Sequence, residues 1–323
     1  LALAWGVLIA GFAQLLFQLP FLHQINLLAT PKLSRSHEGL VRIKKLMIPA
    51  LFGVSVTQIN LLLDTFIASL LVTGSISWLY FSDRLMELPL GTFGIAIAVV
   101  ILPTLSRKHA ESSAQEFAET LDWALRLVCL IALPSTLGLV LLAEPLLITL
   151  FQNENFTTTD VVSASGSLRA YAFGLIAFMA IKIFSPGYFS RQDTKTPVRI
   201  GIIAMASNMI MNVVFYLNGM AHIGLALATS LAAFLNAGLL FFGLFREKVF
   251  YFQRGWVLYS VQILIANLVL FLFLVVCSNE STTWLSWSAG TQILELSVLV
   301  FGGVTIYFIS LYLLGLRWTH IQR

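Results

Sequence analysis

The amino-acid sequence predicts an all-α, polytopic membrane bundle of nine transmembrane helices. Three observations carry that expectation. Of 323 residues, 58% are hydrophobic and only 11% charged, whereas a soluble domain carries about a quarter charged residues. Apolar runs of about 20 residues, the length that crosses the hydrocarbon, recur along the whole chain. Of the 19 Lys and Arg, 15 lie in alternate loops and the tail, as short cytoplasmic loops require. No alternating pattern of the kind a membrane barrel needs is present, so β-spans are excluded.

The nine segments run 3–28, 46–72, 77–105, 119–150, 168–189, 197–217, 222–245, 256–277 and 290–316. Between them, one set of loops is basic. It holds Lys32, Arg35, Arg42, Lys44 and Lys45, then Arg107 and Lys108, then Arg191, Lys195 and Arg199, then Arg246, Lys248 and Arg254, with Arg317 and Arg323 in the tail. The intervening loops (73–76, 151–167, 218–221 and 278–289) carry no Lys or Arg. The basic loops and the C-terminus are therefore expected in the cytoplasm and Leu1 outside. An outside start without a charged n-region does not read as a signal peptide. It fits a longer protein with an odd number of spans upstream. Three parts are expected: 1–150 with the first four spans, 151–245 with the remaining core spans, and 246–323 with two extra spans. In the outer segments, Gln152–Asp160 is polar, and Trp284 and Trp287 read as interfacial anchors.

Charges inside the spans single out candidate sites. Arg126, Arg169 and Lys182 lie near helix ends, where snorkelling to a headgroup is the plain reading. Arg84 lies deeper, about eight residues or roughly 12 Å into the third span, flanked by Asp83 and by Glu87 at i+3. An intramembrane charge costs at least about 2.5–3.5 kcal/mol, so such a cluster lines a cavity or pairs within the bundle. Guanidinium binds phosphate through a bidentate fork and keeps its charge at any working pH, which makes Arg84 a candidate anion-binding group. Asp64 in the second span sits at similar depth. Asn208 and Asn212 share one face of the sixth span at i,i+4, and Thr229 lies at comparable depth in the seventh. One carboxylate, two amides and a hydroxyl make a hard-cation shell. An Asp64–Arg84 salt bridge and ordinary interhelical hydrogen bonds are the alternatives. Pro89-Leu90-Gly91, Pro134 and Pro186-Gly187 mark kinks or hinges.

Enzymatic constellations are missing: there is no HExxH, GxSxG, Walker loop or dinucleotide fingerprint. Cys129 and Cys277 form no metal or disulfide framework. No cytoplasmic loop is long enough for a nucleotide-binding domain, and nothing points to a nucleic-acid partner. A secondary transporter, flippase, channel or structural subunit remains.

Two stretches narrow this further. Ser82-Asp83-Arg84-Leu85-Met86-Glu87-Leu88-Pro89 continues to Ile101-Leu102-Pro103-Thr104-Leu105-Ser106. The second runs Pro186-Gly187-Tyr188-Phe189-Ser190-Arg191-Gln192-Asp193-Thr194-Lys195-Thr196-Pro197. Both resemble the MurJ/MviN family of bacterial lipid II flippases, within the multidrug, oligosaccharidyl-lipid and polysaccharide exporter superfamily. The resemblance implies fourteen spans with both ends cytoplasmic, of which these nine are the sixth to fourteenth. It implies transport of the undecaprenyl-pyrophosphate-linked peptidoglycan precursor to the outer leaflet of the inner membrane, with Arg84 as a cavity charge. It implies a sodium site at Asp64, Asn208, Asn212 and Thr229, a lipid-tail groove in the last two spans, and contact with membrane lipids. A cation-coupled drug or oligosaccharide exporter is the rival within the superfamily. A non-transporting scaffold for cell-wall enzymes is the rival outside it.

Overall fold

The computed structural model describes residues 2–25 and 38–316. Twelve α-helices follow in chain order: α1 Ala2–Gln24, α2 Glu38–Ser69, α3 Ser75–Pro89, α4 Ile95–Ala110, α5 Ala114–Leu141, α6 Ala143–Phe151, α7 Thr158–Phe189, α8 Lys195–Leu217, α9 Ala221–Arg246, α10 Trp256–Cys277, α11 Ser281–Ser286 and α12 Ala289–Leu313. A π-helical turn, Leu90–Gly94, joins α3 to α4. Among the described residues the one extended pairing is the isolated Asn153–Phe156 bridge. Among the described residues, eight helical stretches are long and apolar enough to cross a membrane. The remaining expected span, 46–72, coincides with the 32-residue α2 as far as Ser69, where that helix ends. The chain forms two compact units, 1–47 and 48–323. The first holds α1 and the start of α2, and the description below concerns the second. The loop lysines and arginines at 32 and 35, and those of the tail, lie outside the described residues.

Two expected spans and the expected kinks differ most from the observed helices. The 119–150 span is two helices, because α5 begins at Ala114 and stops at Leu141, with α6 turning off at Leu142 (φ −96°, ψ 18°). The 168–189 span begins ten residues early, at Thr158. There the polar Thr157 and Asp160 form a capping box, a start signal that hydropathy alone does not register. The Pro89-Leu90-Gly91 kink takes the form of the π-turn, in which the chain accommodates one extra residue per turn. Pro134 and Pro186, by contrast, lie within continuous helices.

The bundle is organised around α7, which packs against α3, α4, α5, α6 and α9. Close approach to α9 needs Gly174, where a Cβ would stand 2.6 Å from Ser230 Oγ. Further down, Tyr188 donates to the Leu240 carbonyl at 2.9 Å. The α10 and α12 helices pack on each other and dock on α5 and α6. Three buried polar groups fix that docking. Asp122, only 2% exposed, accepts from Arg126 Nε at 2.8 Å and from Trp256 Nε1 at 2.5 Å. Tyr259 donates to the Arg126 carbonyl at 2.5 Å, and Tyr307 to the Leu130 carbonyl at 2.9 Å.

Three sequence-level expectations therefore change. Arg126 does not snorkel. It pairs with Asp122 and lies over the Trp256 and Tyr259 rings at 5.1 and 5.4 Å. Arg169 pairs with Glu144 of α6 at 2.9 Å, and Glu144 also accepts from Ser281 of α11. Trp284 is fully buried rather than an interfacial anchor, tilted against Trp287 at 5.1 Å.

Removing one partner of a buried ion pair leaves an uncompensated charge and costs about 3–5 kcal/mol. Asp122→Ala in the full-length protein is expected to lower the thermal unfolding midpoint strongly. Asp122→Asn, which keeps an acceptor for Trp256, is expected to lower it less, and the same melts in detergent measure both.

Candidate functional site

The best-formed polar site lies where α2, α8 and α9 meet. Asn60 and Asp64 stand at i,i+4 on α2, and Asn208 and Asn212 stand likewise on α8, so each helix offers two side chains from one face. Asn212 Nδ2 donates to Asp64 Oδ1 at 2.6 Å, and Asn60 Nδ2 to Asp64 Oδ2 at 2.9 Å. Asn212 Nδ2 also reaches Asn208 Oδ1 at 3.1 Å, and Asn208 Nδ2 reaches Thr229 Oγ1 at 3.3 Å. With the Asn208 amide turned over, its NH2 donates instead to Asn60 Oδ1 and Asp64 Oδ1, each at 3.2 Å, and its oxygen accepts from the Thr229 N–H at 3.1 Å. All four residues expected from sequence thus come together. Asn60 is the member sequence reasoning missed, although its position four residues before Asp64 was the available signal.

The donor set favours a hard monovalent cation. Every potential ligand is oxygen, and a single carboxylate supplies one negative charge. Asn208 and Asn212 are 1% and 0% exposed, and Asn212 Oδ1 is buried without a partner. Such an orphaned acceptor beside a carboxylate is what a cation would satisfy. Among the described residues no three His, Cys, Asp or Glu side chains gather at one place. Asp64 does not bridge to Arg84.

Arg84 instead pairs with Glu87 along α3 at 2.6 Å and lies 4.9 Å from the Tyr80 ring centroid. The expected three-charge cluster is not buried. The Arg84 and Glu87 side chains are 53% and 48% exposed. Ser82, Leu85 and Met86 occupy the buried face of α3, and at 100° per residue that turns Tyr80, Arg84 and Glu87 outward. Asp83 is half-buried and makes no ion pair with Arg84. Ser82 holds the helix in place by donating to the Ala164 carbonyl of α7 at 2.7 Å.

The family model "Lipid II flippase MurJ" matches residues 1–297. The chain belongs to the MurJ lipid II flippase family. A protein of Vibrio cholerae called probable lipid II flippase MurJ is 52% identical over 98% of the chain and 60% of its own length. One of Haemophilus influenzae with the same name is 48% identical over 99% of the chain and 64% of its length. The solved structure "Lipid II flippase MurJ, inward closed conformation" superposes with a TM-score of 0.67 at 27% identity, over 90% of the chain and 58% of that structure. The chain thus spans about 60% of the length of the relatives it matches.

The second stretch that carries the MurJ resemblance is a structural joint. Gln192 takes a left-handed conformation (φ 62°) to reverse the chain between α7 and α8. Arg191 pairs with Glu247 beyond α9 at 2.7 Å. Asp193 Oδ1 accepts the N–H groups of Lys195 and Thr196 at 3.1 and 3.0 Å, the first two of α8. Burial pushes the Asp193 carboxyl up, but these bonds and that of the Thr196 hydroxyl outweigh it and hold it below its ordinary value.

A depressed carboxylate stabilises the fold above its unfolded pKa and loses that contribution as pH falls through the folded one. Asp193→Ala is expected to cost about 1 kcal/mol at neutral pH, the usual worth of a cap. The difference between the two proteins' melting curves should shrink below the ordinary aspartate range, and a pH series of melts measures it.

Proposed function

We propose that the protein carrying this chain moves lipid II, the undecaprenyl-pyrophosphate-linked peptidoglycan precursor, from the inner to the outer leaflet of the bacterial inner membrane. Transport runs by alternating access, with the C-terminus in the cytoplasm. The observation that carries the reading is the Arg84–Glu87 pair on the outward face of a membrane-spanning helix. A guanidinium held by one exchangeable carboxylate is poised to take a diphosphate, to which it offers a stronger bidentate contact. Family membership supplies the substrate class. The exposed apolar face of α12, with Ile293, Leu294, Val298 and Phe301, supports a place for the lipid tail among membrane lipids. Cell-wall synthesis enzymes are the natural neighbours of such a transporter.

The cluster of Asp64, Asn60, Asn208, Asn212 and Thr229 is read as the site of a coupling Na+. A sodium ion there would neutralise Asp64 and join α2 to α8 and α9 through shared oxygens.

In a depletion strain, Arg84→Ala in the full-length protein is expected to abolish appearance of the precursor at the outer leaflet while the protein still inserts, and Arg84→Lys to retain part of it. Unimpaired translocation in Arg84→Ala would remove Arg84 from the transport path and favour a scaffold. For the ion, Na+ but not choline is expected to raise the melting temperature of purified protein. Asp64→Ala should abolish the effect, and protection that persists in this variant would place the ion elsewhere.

A further inference from the structure

A buried imidazole at the start of α9 has no part in the transport reading. His222 is 8% exposed. Its Nε2 lies 3.0 Å from the Ser163 carbonyl of α7. A carbonyl only accepts, so Nε2 carries the proton and Nδ1 is left bare. Nδ1 is itself buried and has no partner among the described residues.

Three helices converge on this ring. The Trp78 indole of α3 meets it at 4.6 Å between centroids, tilted by 60°. The same indole donates through Nε1 to Asp160 Oδ1 of α7 at 2.8 Å. The other Asp160 oxygen accepts from the Thr157 N–H and hydroxyl at 2.8 and 2.7 Å. Gly74 (φ 102°) seats Trp78 from the turn before α3, where a Cβ would stand 2.7 Å from the indole. Helices α7 and α9 come close here, since a Cβ on Gly166 would stand 2.7 Å from Ile223 Cδ1. The starts of α3, α7 and α9 are thus pinned together through one imidazole.

The pin suits only the neutral ring. A second proton would put an N–H on Nδ1, where no acceptor stands among the described residues, and a charge inside a packed junction. The indole face returns part of that cost as a cation–π contact, but it leaves the new N–H unmet. Few other charges bear on the ring. On α7, Asp160 has both oxygens engaged, and Arg169 pairs with Glu144 of α6. On α3, Asp83 and Arg84 lie five and six residues beyond Trp78, about 8–9 Å along the helix. On α2, Asp64 is held by Asn60 and Asn212. Helix α9 carries no charge before Arg246, and α8 none after Arg199. Tyr80, Tyr171 and Tyr216 stay neutral through the range in which imidazole titrates.

We propose that His222 is a pH-sensitive latch: the neutral ring holds the starts of α3, α7 and α9 together, and acid on that side of the membrane releases them. With the orientation proposed above, that side is the extracytoplasmic one. Release loosens the first turns of the helix that carries Arg84.

The test uses purified full-length protein in lipid nanodiscs. Amide hydrogen exchange is followed by mass spectrometry at about pH 7.5 and about pH 5, either side of imidazole titration, with labelling times scaled for the intrinsic effect of pH. Amides of 75–80 and 221–226 in the parent are expected to exchange about tenfold faster at the lower pH, what one buried hydrogen-bonding group left unmade amounts to. His222→Gln, whose amide keeps a donor for the Ser163 carbonyl and does not titrate, is expected to lose this response. Asp160→Asn, which removes the junction's other titratable group and keeps an acceptor for Trp78, is expected to respond as the parent does. A response absent from the parent, retained in His222→Gln or lost in Asp160→Asn overturns the proposal. A direct reading of the parent holds even where the glutamine variant is loose at neutral pH. Exchange of the imidazole C2 hydrogen gives the midpoint at which His222 takes its proton, and this is expected to coincide with the midpoint of lost protection. Midpoints more than about one pH unit apart overturn the proposal. No readout involves transport, so failure of the flippase reading leaves this test intact.

Discussion

A charge in hydrocarbon must be paired, hydrogen-bonded or wetted, and that one constraint orders this structure. Its cost, at least about 2.5–3.5 kcal/mol per group, exceeds what a single packing contact returns. Asp122 meets it by gathering Arg126, Trp256 and the backbone of Gln253. Glu144 meets it with Arg169 and Ser281. Asp64 meets it with two asparagine amides. In each case the polar group also joins helices distant in sequence, so satisfying the charge sets the packing.

These charge partnerships divide by place and by completeness. The Asp122 and Glu144 networks tie the last helices to the core and are closed. The Asp64 cluster is nearly closed, with the Asn212 carbonyl oxygen left over. Arg84 keeps a single exposed partner. Closed networks serve a fixed scaffold, and open ones are where a ligand can exchange with the protein's own groups.

Much of the architecture was legible in the sequence, because span length and basic loops are direct consequences of bilayer thickness and insertion. The Asp64, Asn208, Asn212 and Thr229 grouping was also legible, since equal depth plus i,i+4 spacing restricts which polar groups can meet. What escaped reading depended on tertiary partners. Arg126 looked like a snorkelling side chain because Trp256 and Tyr259, more than a hundred residues away, could not be placed against it. Trp284 looked interfacial because its neighbours in α6 were not in view. The outward turn of Arg84 followed from which face of α3 packs on α7, and a charge count does not contain that information.

The central claim is that an exposed intramembrane guanidinium selects a diphosphate-linked lipid. The most direct measurement reconstitutes the full-length protein in liposomes and compares leaflet exchange of a fluorescent diphosphate-linked precursor with that of its monophosphate analogue. The account predicts faster exchange of the diphosphate, with the difference lost when Arg84 is replaced by glutamine. Equal exchange of both lipids by the parent protein would contradict it.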